Sequence, residues 1–358
     1  MNLDWRSVGL TLAALAVAGA VAGAAVVGLG LFNVSARNGH LPGVSWVLHT
    51  TFRNSVDLRA KPLSQAPDTL DDPSMIALGA RHFDAACRTC HAAPGQSKTA
   101  TMRAMLPEPP HITDAVGHWN ASELHWIVHE GVKMSGMPAW PAPRDDEIWP
   151  VVAFLRAVGD MTGEEYRSLT VAEAADGRGL AYCASCHGER GVSDNPHIPR
   201  LDILSETYIA RSLDAYAAGT RQSGIMQHAA SEVPQDDLAR LAAAFARVPA
   251  TGTAGPETDL VRAGRDLALE GTGVVPACAS CHGPWPEALD DGFPSLAGQY
   301  EPYLVQQLRL WREGDRGGTQ ASALMYHAAR QLDDSDIAAL AAYYAALAPA
   351  ELTQLSRP

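Results

Sequence analysis

The sequence has no cysteine outside three short stretches of the form Cys-x-x-Cys-His. The six cysteines are Cys87, Cys90, Cys183, Cys186, Cys278 and Cys281. Because each belongs to one of these stretches, none remains for a disulfide that would join distant parts of the chain. The cysteines therefore point to a local chemistry that the chain repeats three times.

Basic residues are also few, with 27 Lys and Arg against 40 Asp and Glu and a formal net charge of −13. A nucleic-acid-binding protein needs a surplus of positive charge to meet the phosphates, so this class of function is excluded. The acidic excess suits either plain solubility or docking to a basic face of another protein. The sequence also lacks a dinucleotide fingerprint, a nucleophile elbow and a metalloprotease motif.

The length of 358 residues exceeds one ordinary core and predicts two or three domains. The first cysteines of the three motifs lie 96 and then 95 residues apart, a spacing typical of tandem small domains rather than of a solenoid. At an offset of 95 residues the second and third units share further positions, namely Pro199 with Pro294, Tyr208 with Tyr303, Gly219 with Gly314 and Arg221 with Arg316. We interpret these two units as an internal duplication. The first unit shares the cysteine motif but is otherwise distinct.

Sequence patterns typical of β-strands are scarce. The last segment of each unit begins with acidic residues and continues with apolar residues at helical spacing. The three runs are "DDEIWPVVAFLRAV", "QDDLARLAAAFARV" and "DSDIAALAAYYAAL". Acidic residues complement the dipole at a helix start, and apolar residues three and four apart form one buried face. The predicted fold class is therefore all-α, with three tandem helical domains.

The N-terminal part contains an uncharged run over residues 8–32, "VGLTLAALAVAGAVAGAAVVGLGLF". As a helix it would rise about 37 Å, which is enough to cross a bilayer. An uncleaved anchor is favoured over a signal peptide, whose apolar core is shorter, although cleavage near "AGAVAGAA" is the alternative. The small residues Gly19 and Gly23 would allow close contact with another membrane helix.

The predicted organisation follows from these patterns. Residues 1–35 form the transmembrane anchor and residues 36–70, with scattered charges and prolines, form a spacer on the outer side of the membrane. The three helical domains occupy residues 71–165, 166–252 and 253–358.

The motif Cys-x-x-Cys-His is typical of a c-type heme attachment site. Two cysteines three residues apart can form thioether bonds to one porphyrin, and the next residue can present a neutral imidazole to the iron. We therefore predict three covalently bound heme c groups, with His91, His187 and His282 as iron ligands. A zinc site would need paired motifs within one small domain, and a thioredoxin-like redox pair would need a βαβ context; the sequence has neither.

The second iron ligand is predicted to be a methionine that follows each histidine. Met137, Met226 and Met325 follow their histidines by 46, 39 and 43 residues, just before the final helix of each unit. An electron carrier fills the second axial position of the iron with a protein ligand. A methionine in that position raises the reduction potential of the heme. In the first unit Met134 is the alternative, although "GMPAW" around Met137 is typical of a ligand loop. The alternatives in the other units are histidines two residues past the methionine, His228 and His327.

At these motifs the chain resembles the class I c-type cytochromes of bacterial respiratory chains. Residues 176–349 resemble two-heme cytochromes of the c4 type through "YCASCHGERG", "VPACASCHGP" and "FPSLAGQYEPYLVQQL". Residues 75–158 are similar to single-heme membrane-anchored relatives through "CRTCH", "PEPP" and "KMSGMPAW".

The resemblance implies two further sets of residues. A proline carbonyl near each heme is expected to accept a hydrogen bond from the histidine, and the matching prolines are Pro110, Pro199 and Pro294. The family also packs its first and last helices through a glycine and an aromatic residue. Gly79 and Phe83 fit that contact in the first unit, whereas the second unit has Gly179 where Phe83 would fall.

The resemblance implies a membrane-tethered electron carrier in the bacterial inner membrane, with its N-terminus cytoplasmic and its heme domains periplasmic. Expected donors are a quinol-oxidising complex or a dehydrogenase, and expected acceptors are a terminal oxidase, a reductase or a soluble cytochrome. The first alternative is a dedicated cytochrome c subunit of a dehydrogenase or oxidase complex. The second is a heme enzyme such as a peroxidase. It is disfavoured because it needs an open iron or an unusual ligand, and we expect no catalytic residue.

Overall fold

The computed structural model describes residues 4–170, 179–283, 290, 292–318 and 321–349. The predicted spans of the second and third domains include residues 171–178 and 350–358, which lie outside the described residues. The chain divides into two compact units. The first comprises Met1–Asn54 with Ala100–Pro109, and the second comprises Ser55–Thr99 with Pro110–Pro358.

The structure is built from α-helices joined by turns. The helices before the first cysteine motif are α1 Trp5–Gly28, α2 Val44–Arg59 and α3 Pro73–Ala86. Those between the first and second motifs are α4 Arg88–His91, α5 Ala100–Arg103, α6 Ile112–Ala115, α7 Ala121–Glu130, α8 Ile148–Ala157 and α9 Gly163–Thr170. The remaining helices are α10 Leu180–His187, α11 Glu206–Ala217, α12 Gly224–Ser231, α13 Gln235–Ala246, α14 Asp259–Glu270, α15 Ala279–His282, α16 Glu301–Glu313, α17 Ser322–Ala329 and α18 Asp334–Ala346.

The described residues also contain four short 3₁₀ turns, at Leu63–Gln65, Asp68–Asp71, Asp145–Glu147 and Val158–Asp160. Within the described ranges the only β pairing is a single bridge between Val132 and Met137. The all-α prediction is confirmed. The three predicted terminal helices correspond to α8, α13 and α18.

Helix α1 is long and apolar enough to cross a membrane, with a mean hydropathy of 2.3 over its best window and no residue of that window buried. It begins three residues before the predicted run because the Asp4 side chain accepts a hydrogen bond from the backbone of Arg6 and caps the helix. It ends at Gly28, four residues before the predicted end, and Gly30 follows with a φ of 65°.

The predicted spacer, residues 36–70, contains more regular structure than its sequence indicates. Helix α2 lies within it, and in the second unit Val56 is fully buried and Leu70 belongs to the core of the first heme-motif domain. The helix was missed because its polar residues outnumber its apolar ones and leave no continuous apolar face.

The first domain is organised around the contact of α3 with α8. The Asp72 side chain caps α3 and Pro73 occupies its first turn, as expected for a helix start. Gly79 lets the two helices approach closely, because a Cβ at this position would lie 1.8 Å from the carbonyl oxygen of Pro150. Phe83 packs against Phe154 with tilted rings whose centroids lie 5.1 Å apart. The predicted glycine and aromatic contact is therefore present in this domain.

The third domain repeats this arrangement with α14 and α18. A Cβ on Gly264 would lie 1.9 Å from the carbonyl oxygen of Ala339, so Gly264 has the role of Gly79. In the second domain the described core joins α11 to α13 through Ile209, Ala242 and Phe245. Gly179 has no atom within 4 Å of an added Cβ and only precedes α10. The described part of the second domain thus lacks this contact, as the departure from the family pattern predicted.

Candidate heme sites

The three cysteine motifs lie at helix ends. Cys87 joins α3 to α4, Cys183 and Cys186 lie in α10, and Cys278 precedes α15. None of the six cysteines forms a disulfide. Burial, together with the neighbouring cysteine of the pair, raises the pKa of Cys87 to about 12.

The first cysteines of the other motifs have raised pKa values of the same origin. Burial raises the pKa of both Cys183 and Cys278 to about 11. A dithiol redox centre needs a lowered thiol pKa, so these environments disfavour thioredoxin-like chemistry.

The histidine of each motif is held by a proline carbonyl. The Nδ1 atoms of His91, His187 and His282 lie 3.0, 3.2 and 2.9 Å from the carbonyl oxygens of Pro110, Pro199 and Pro294, respectively. Because a carbonyl can only accept, Nδ1 carries the proton and Nε2 keeps its lone pair for a metal.

The charge state of these histidines suits the same role. Burial lowers the pKa of His91, His187 and His282, although the carbonyl hydrogen bond raises it in part. The imidazoles are therefore neutral near pH 7, which is the form that ligates iron.

The third domain contains a cavity of about 350 Å³ that brings the predicted site residues together. Its lining includes Cys278, Cys281, His282 and Met325. Apolar side chains close the rest, among them Leu304, Trp311 and Leu340. The cavity thus presents two thiols, an imidazole and a thioether inside an apolar enclosure, and these residues fit a covalently attached heme.

Two arginines from different domains line this cavity. Arg221 is buried and donates to Ser212 Oγ at 2.8 Å, and Arg316 Nη2 donates to the Tyr208 hydroxyl at 3.1 Å. Within the described ranges the buried Nε of Arg316 has no hydrogen-bond partner. Buried cations need a counter-charge, and the carboxylates of a bound heme would supply one here.

The candidate methionine ligands lie in comparable places. Met226 is in the first turn of α12 and Met325 is in the first turn of α17, and both are partly buried. Met137 is partly buried, and its backbone forms an antiparallel β-bridge with Val132. The alternative, Met134, has 95% of its side chain exposed and a φ of 62°. Of the two methionines, Met137 therefore has the less exposed side chain.

The remaining histidines have other surroundings. Nε2 of His228 lies 3.1 Å from the carbonyl oxygen of Ala85 in the first domain, and His327 is exposed beside Tyr326. His125 is buried against Trp149, with ring centroids 4.3 Å apart, and its ring stacks on His129.

Sequence reasoning missed the contributions that cross between domains. Tyr208 and Arg221 line the cavity of the third domain although they belong to the second. Their recurrence as Tyr303 and Arg316 at the 95-residue offset was the available signal, since duplicated residues of this kind mark a shared site. Glu147 and Arg144 of the first domain likewise contact the second domain, at Gly224 and Gln222.

A helical domain with a thiol pair, an oriented neutral histidine and an apolar enclosure defines a c-type cytochrome, and the chain belongs to the cytochrome c family. The family model described as "Cytochrome c" matches residues 263–348. The model described as "Cytochrome C oxidase, cbb3-type, subunit III" matches residues 74–155. The cofactor of this family is covalent heme c, and the chain is an electron-transfer cytochrome.

Similar proteins are two-heme and related carriers. A "Thiosulfate dehydrogenase electron acceptor" of Stutzerimonas stutzeri is 32% identical over 205 residues, covering 51% of this chain and 91% of the relative. A "Cytochrome c4" of Azotobacter vinelandii is 34% identical over 185 residues, covering 48% and 87%. The crystal structure of reduced cytochrome c4 from Pseudomonas stutzeri is 31% identical, covers 47% of this chain and 94% of that one, and superposes with a TM-score of 0.44.

Proposed function

We propose that the chain is a membrane-tethered periplasmic cytochrome that carries three covalent heme c groups, in domains 71–165, 166–252 and 253–358. The proposed thioether residues are Cys87, Cys90, Cys183, Cys186, Cys278 and Cys281, and the proposed iron ligands are His91, Met137, His187, Met226, His282 and Met325. The observation that carries the proposal is the threefold recurrence of a histidine Nδ1 within 3.2 Å of a proline carbonyl.

Each bound heme supplies one iron that gains and loses a single electron. The protein's part is to hold that iron with a fixed histidine on one side and a methionine on the other. With both sides closed no substrate reaches the metal, so we assign the chain an electron-carrying role and no catalytic residues. Apolar side chains around the group keep water out, as in the cavity of the third domain.

Contacts among the three domains support electron passage along the chain. Between the first two domains, the Asn195 side chain donates to the carbonyl oxygen of Ser74 at 2.8 Å. Between the second and third, the amide of Arg200 donates to Gln299 Oε1 at 2.9 Å. Because the second domain touches both neighbours, its heme is the intermediate station in this proposal.

The tether is assigned to α1, with the N-terminus cytoplasmic and the heme domains periplasmic. The support is its length and hydropathy, together with the attachment of heme c on the outer side of the bacterial inner membrane. The alternative is that the N-terminal segment is cleaved as a signal peptide. The mass of the mature protein distinguishes a cleaved segment from an uncleaved anchor.

The proposed partners are redox proteins. A dehydrogenase or a quinol-oxidising complex is the donor, and an oxidase, a reductase or a soluble cytochrome is the acceptor. The name of the Stutzerimonas relative supports a dehydrogenase donor. The match of residues 74–155 to an oxidase subunit favours the second candidate function, a dedicated subunit of an oxidase complex.

The proposal is tested by mass spectrometry and a redox titration of the detergent-solubilised protein. We expect the mass of the polypeptide plus three hemes and three low-spin centres with methionine ligation. Fewer than three hemes, or rapid carbon monoxide binding by the native reduced protein, would contradict it. Purification in mild detergent separates the two candidate functions, because a subunit brings a stoichiometric membrane complex with it and a free carrier does not.

A further inference from the structure

The segment of the first domain that follows Met137 makes a buried polar contact with the second domain. Glu147 is only 6% exposed, and its carboxylate binds the turn that precedes α12. Glu147 Oε2 accepts from the backbone amide of Gly224 at 2.6 Å, and Oε1 accepts from the Ser223 hydroxyl. A carboxylate at this place also complements the positive end of the α12 dipole.

Arg144 holds the same turn from its other side. Arg144 Nη1 donates to the carbonyl oxygen of Gln222 at 3.0 Å and lies 3.3 Å from Glu147 Oε1. Asp146 fixes the guanidinium through a second ion pair, with Nε donating to Oδ1 at 2.9 Å. The first domain thus binds a carbonyl, a hydroxyl and an amide of three successive residues, 222–224.

The backbone of Gly224 lies directly against Trp140. A Cβ at position 224 would lie 2.1 Å from the indole Nε1, so no larger residue fits without displacing the ring. The indole Nε1 in turn donates to Glu147 Oε2 at 3.0 Å. Trp140 therefore fixes both the carboxylate and the turn that it binds.

A short chain of hydrogen bonds connects Glu147 to Met226. The Ser223 hydroxyl donates to Glu147 and accepts from the backbone amide of Met226 at 3.3 Å. The equivalent helix of the third domain, α17, has Ala321 at its N-cap position, which provides no side-chain cap. The capping residue of α12, Ser223, is in contrast itself bound by a carboxylate of the neighbouring domain.

We propose that Glu147 and Arg144 of the first domain are positioning residues for Met226, so that methionine ligation in the second domain depends on docking of the first. This inference rests on the proposed function, in which Met226 is an iron ligand. The charge state supports it. Burial raises the pKa of Glu147, but Arg144 and the Ser223 hydrogen bond outweigh burial and lower it below its ordinary value, so the carboxylate is ionised.

The test uses the full-length heme-loaded protein with Glu147→Ala, Glu147→Gln and Met226→Leu. Asp333→Ala is the matched control, because Asp333 is also a carboxylate cap but serves α18 of the third domain. Proton NMR of the reduced protein counts the bound methionines, since each iron-bound methyl group gives its own shifted signal. Redox titration and carbon monoxide binding are measured on the same samples, with heme content from mass spectrometry.

Glu147→Ala is expected to keep three hemes but to weaken the signal that Met226→Leu abolishes, with carbon monoxide now binding one of the three. The potential of that heme should fall, because methionine ligation raises it. Loss of a nearby negative charge alone would instead raise the potential. Glu147→Gln keeps an acceptor for Gly224 and should show a smaller effect, and Asp333→Ala should show none.

The proposal is overturned if Glu147→Ala retains all methionine signals, or if its only effect is a raised potential. If Glu147→Ala does not fold, Glu147→Gln decides: an unchanged second-domain signal and potential then overturn the proposal. If Met226→Leu leaves every methionine signal in place, the assignment of Met226 itself fails. That outcome is distinct from a failure of the positioning role alone.

Discussion

Nε2 of His228 lies 3.1 Å from the carbonyl oxygen of Ala85, so the methionine helix of the second domain donates a hydrogen bond to the end of α3. Ala85 lies two positions before Cys87, and His228 lies two positions after Met226. The proposed ligand segment of one domain and the proposed attachment segment of another are thus joined by one hydrogen bond. This contact gives the histidine beside the proposed ligand methionine a partner of its own.

Replacing His228 with alanine should leave all three methionine ligations intact. The variant loses one partly buried hydrogen bond, so we expect a decrease of about 1 kcal/mol in the free energy of unfolding. Denaturant unfolding and the NMR methionine signals measure the two effects. A changed ligand signal would identify His228 as the iron ligand instead.

Met137 and Met134 form a matched pair for testing the first heme. Met137→Leu should remove one methionine signal and lower one potential, because leucine offers no lone pair to the iron. Met134→Leu should change neither, since the Met134 side chain is 95% exposed. The reverse result would assign the ligand to Met134.

Substitution of the close-contact glycines should destabilise their own domains. Gly79→Ala and Gly264→Ala place a methyl group within 2 Å of a backbone carbonyl oxygen, and overpacking of this kind costs about 1–3 kcal/mol or more. Gly159→Ala is the control, because nothing lies within 4 Å of an added Cβ there. Urea unfolding followed by heme absorbance tests the difference. Equal stabilities for all three variants would contradict the assigned contacts.

The contribution of Glu147 to stability should depend on pH. The pKa of Glu147 is lower in the folded protein than its ordinary value of 4.5, because Arg144 and hydrogen bonds outweigh burial. Its stabilising effect is therefore fully present above pH 4.5 and is lost as the pH falls through the folded-state value. The stability difference between the wild type and Glu147→Gln, measured from neutral to acid pH, should shrink only in acid. A difference that grows in acid would show that the carboxylate is protonated in the fold.

Removal of the N-terminal helix should release the heme domains from the membrane. No residue of α1 is buried, so deleting residues 1–32 behind a cleavable signal removes no core packing. We expect a protein in the soluble periplasmic fraction with three hemes. Retention in the membrane would indicate a second attachment surface, and loss of heme would contradict independently folding domains.

The local features of this molecule follow directly from its sequence. The terminal helices α8, α13 and α18 were predicted because an acidic first turn and an apolar face are encoded within fourteen residues or fewer. The cysteine motifs are local in the same sense. The prolines beside the histidines were implied by the resemblance to c-type cytochromes, and Pro199 and Pro294 each lie 12 residues from their histidine.

Contacts between domains could not be predicted in this way. The hydrogen bond of Glu147 with Ser223 spans 76 residues, and nothing in the pattern around either residue indicates the other. In the sequence, Glu147 is one of several acidic residues before a helix. Its burial results from contacts with the second domain, which the sequence does not indicate. Helix α2 was missed for a related reason, since its single buried residue, Val56, leaves no periodic signal.

The contacts of the first domain with α12 affect which domains an external redox protein can approach. Trp140 and Glu147 contact the first residue of that helix, Gly224. The carbonyl oxygen of Ala85 accepts a hydrogen bond from His228 further along the helix. Leu324, just before Met325 in the third domain, remains 64% exposed. In the proposed arrangement an external protein would therefore approach the methionine segment of the third domain more easily than that of the second, and the middle heme would exchange electrons mainly with the other two.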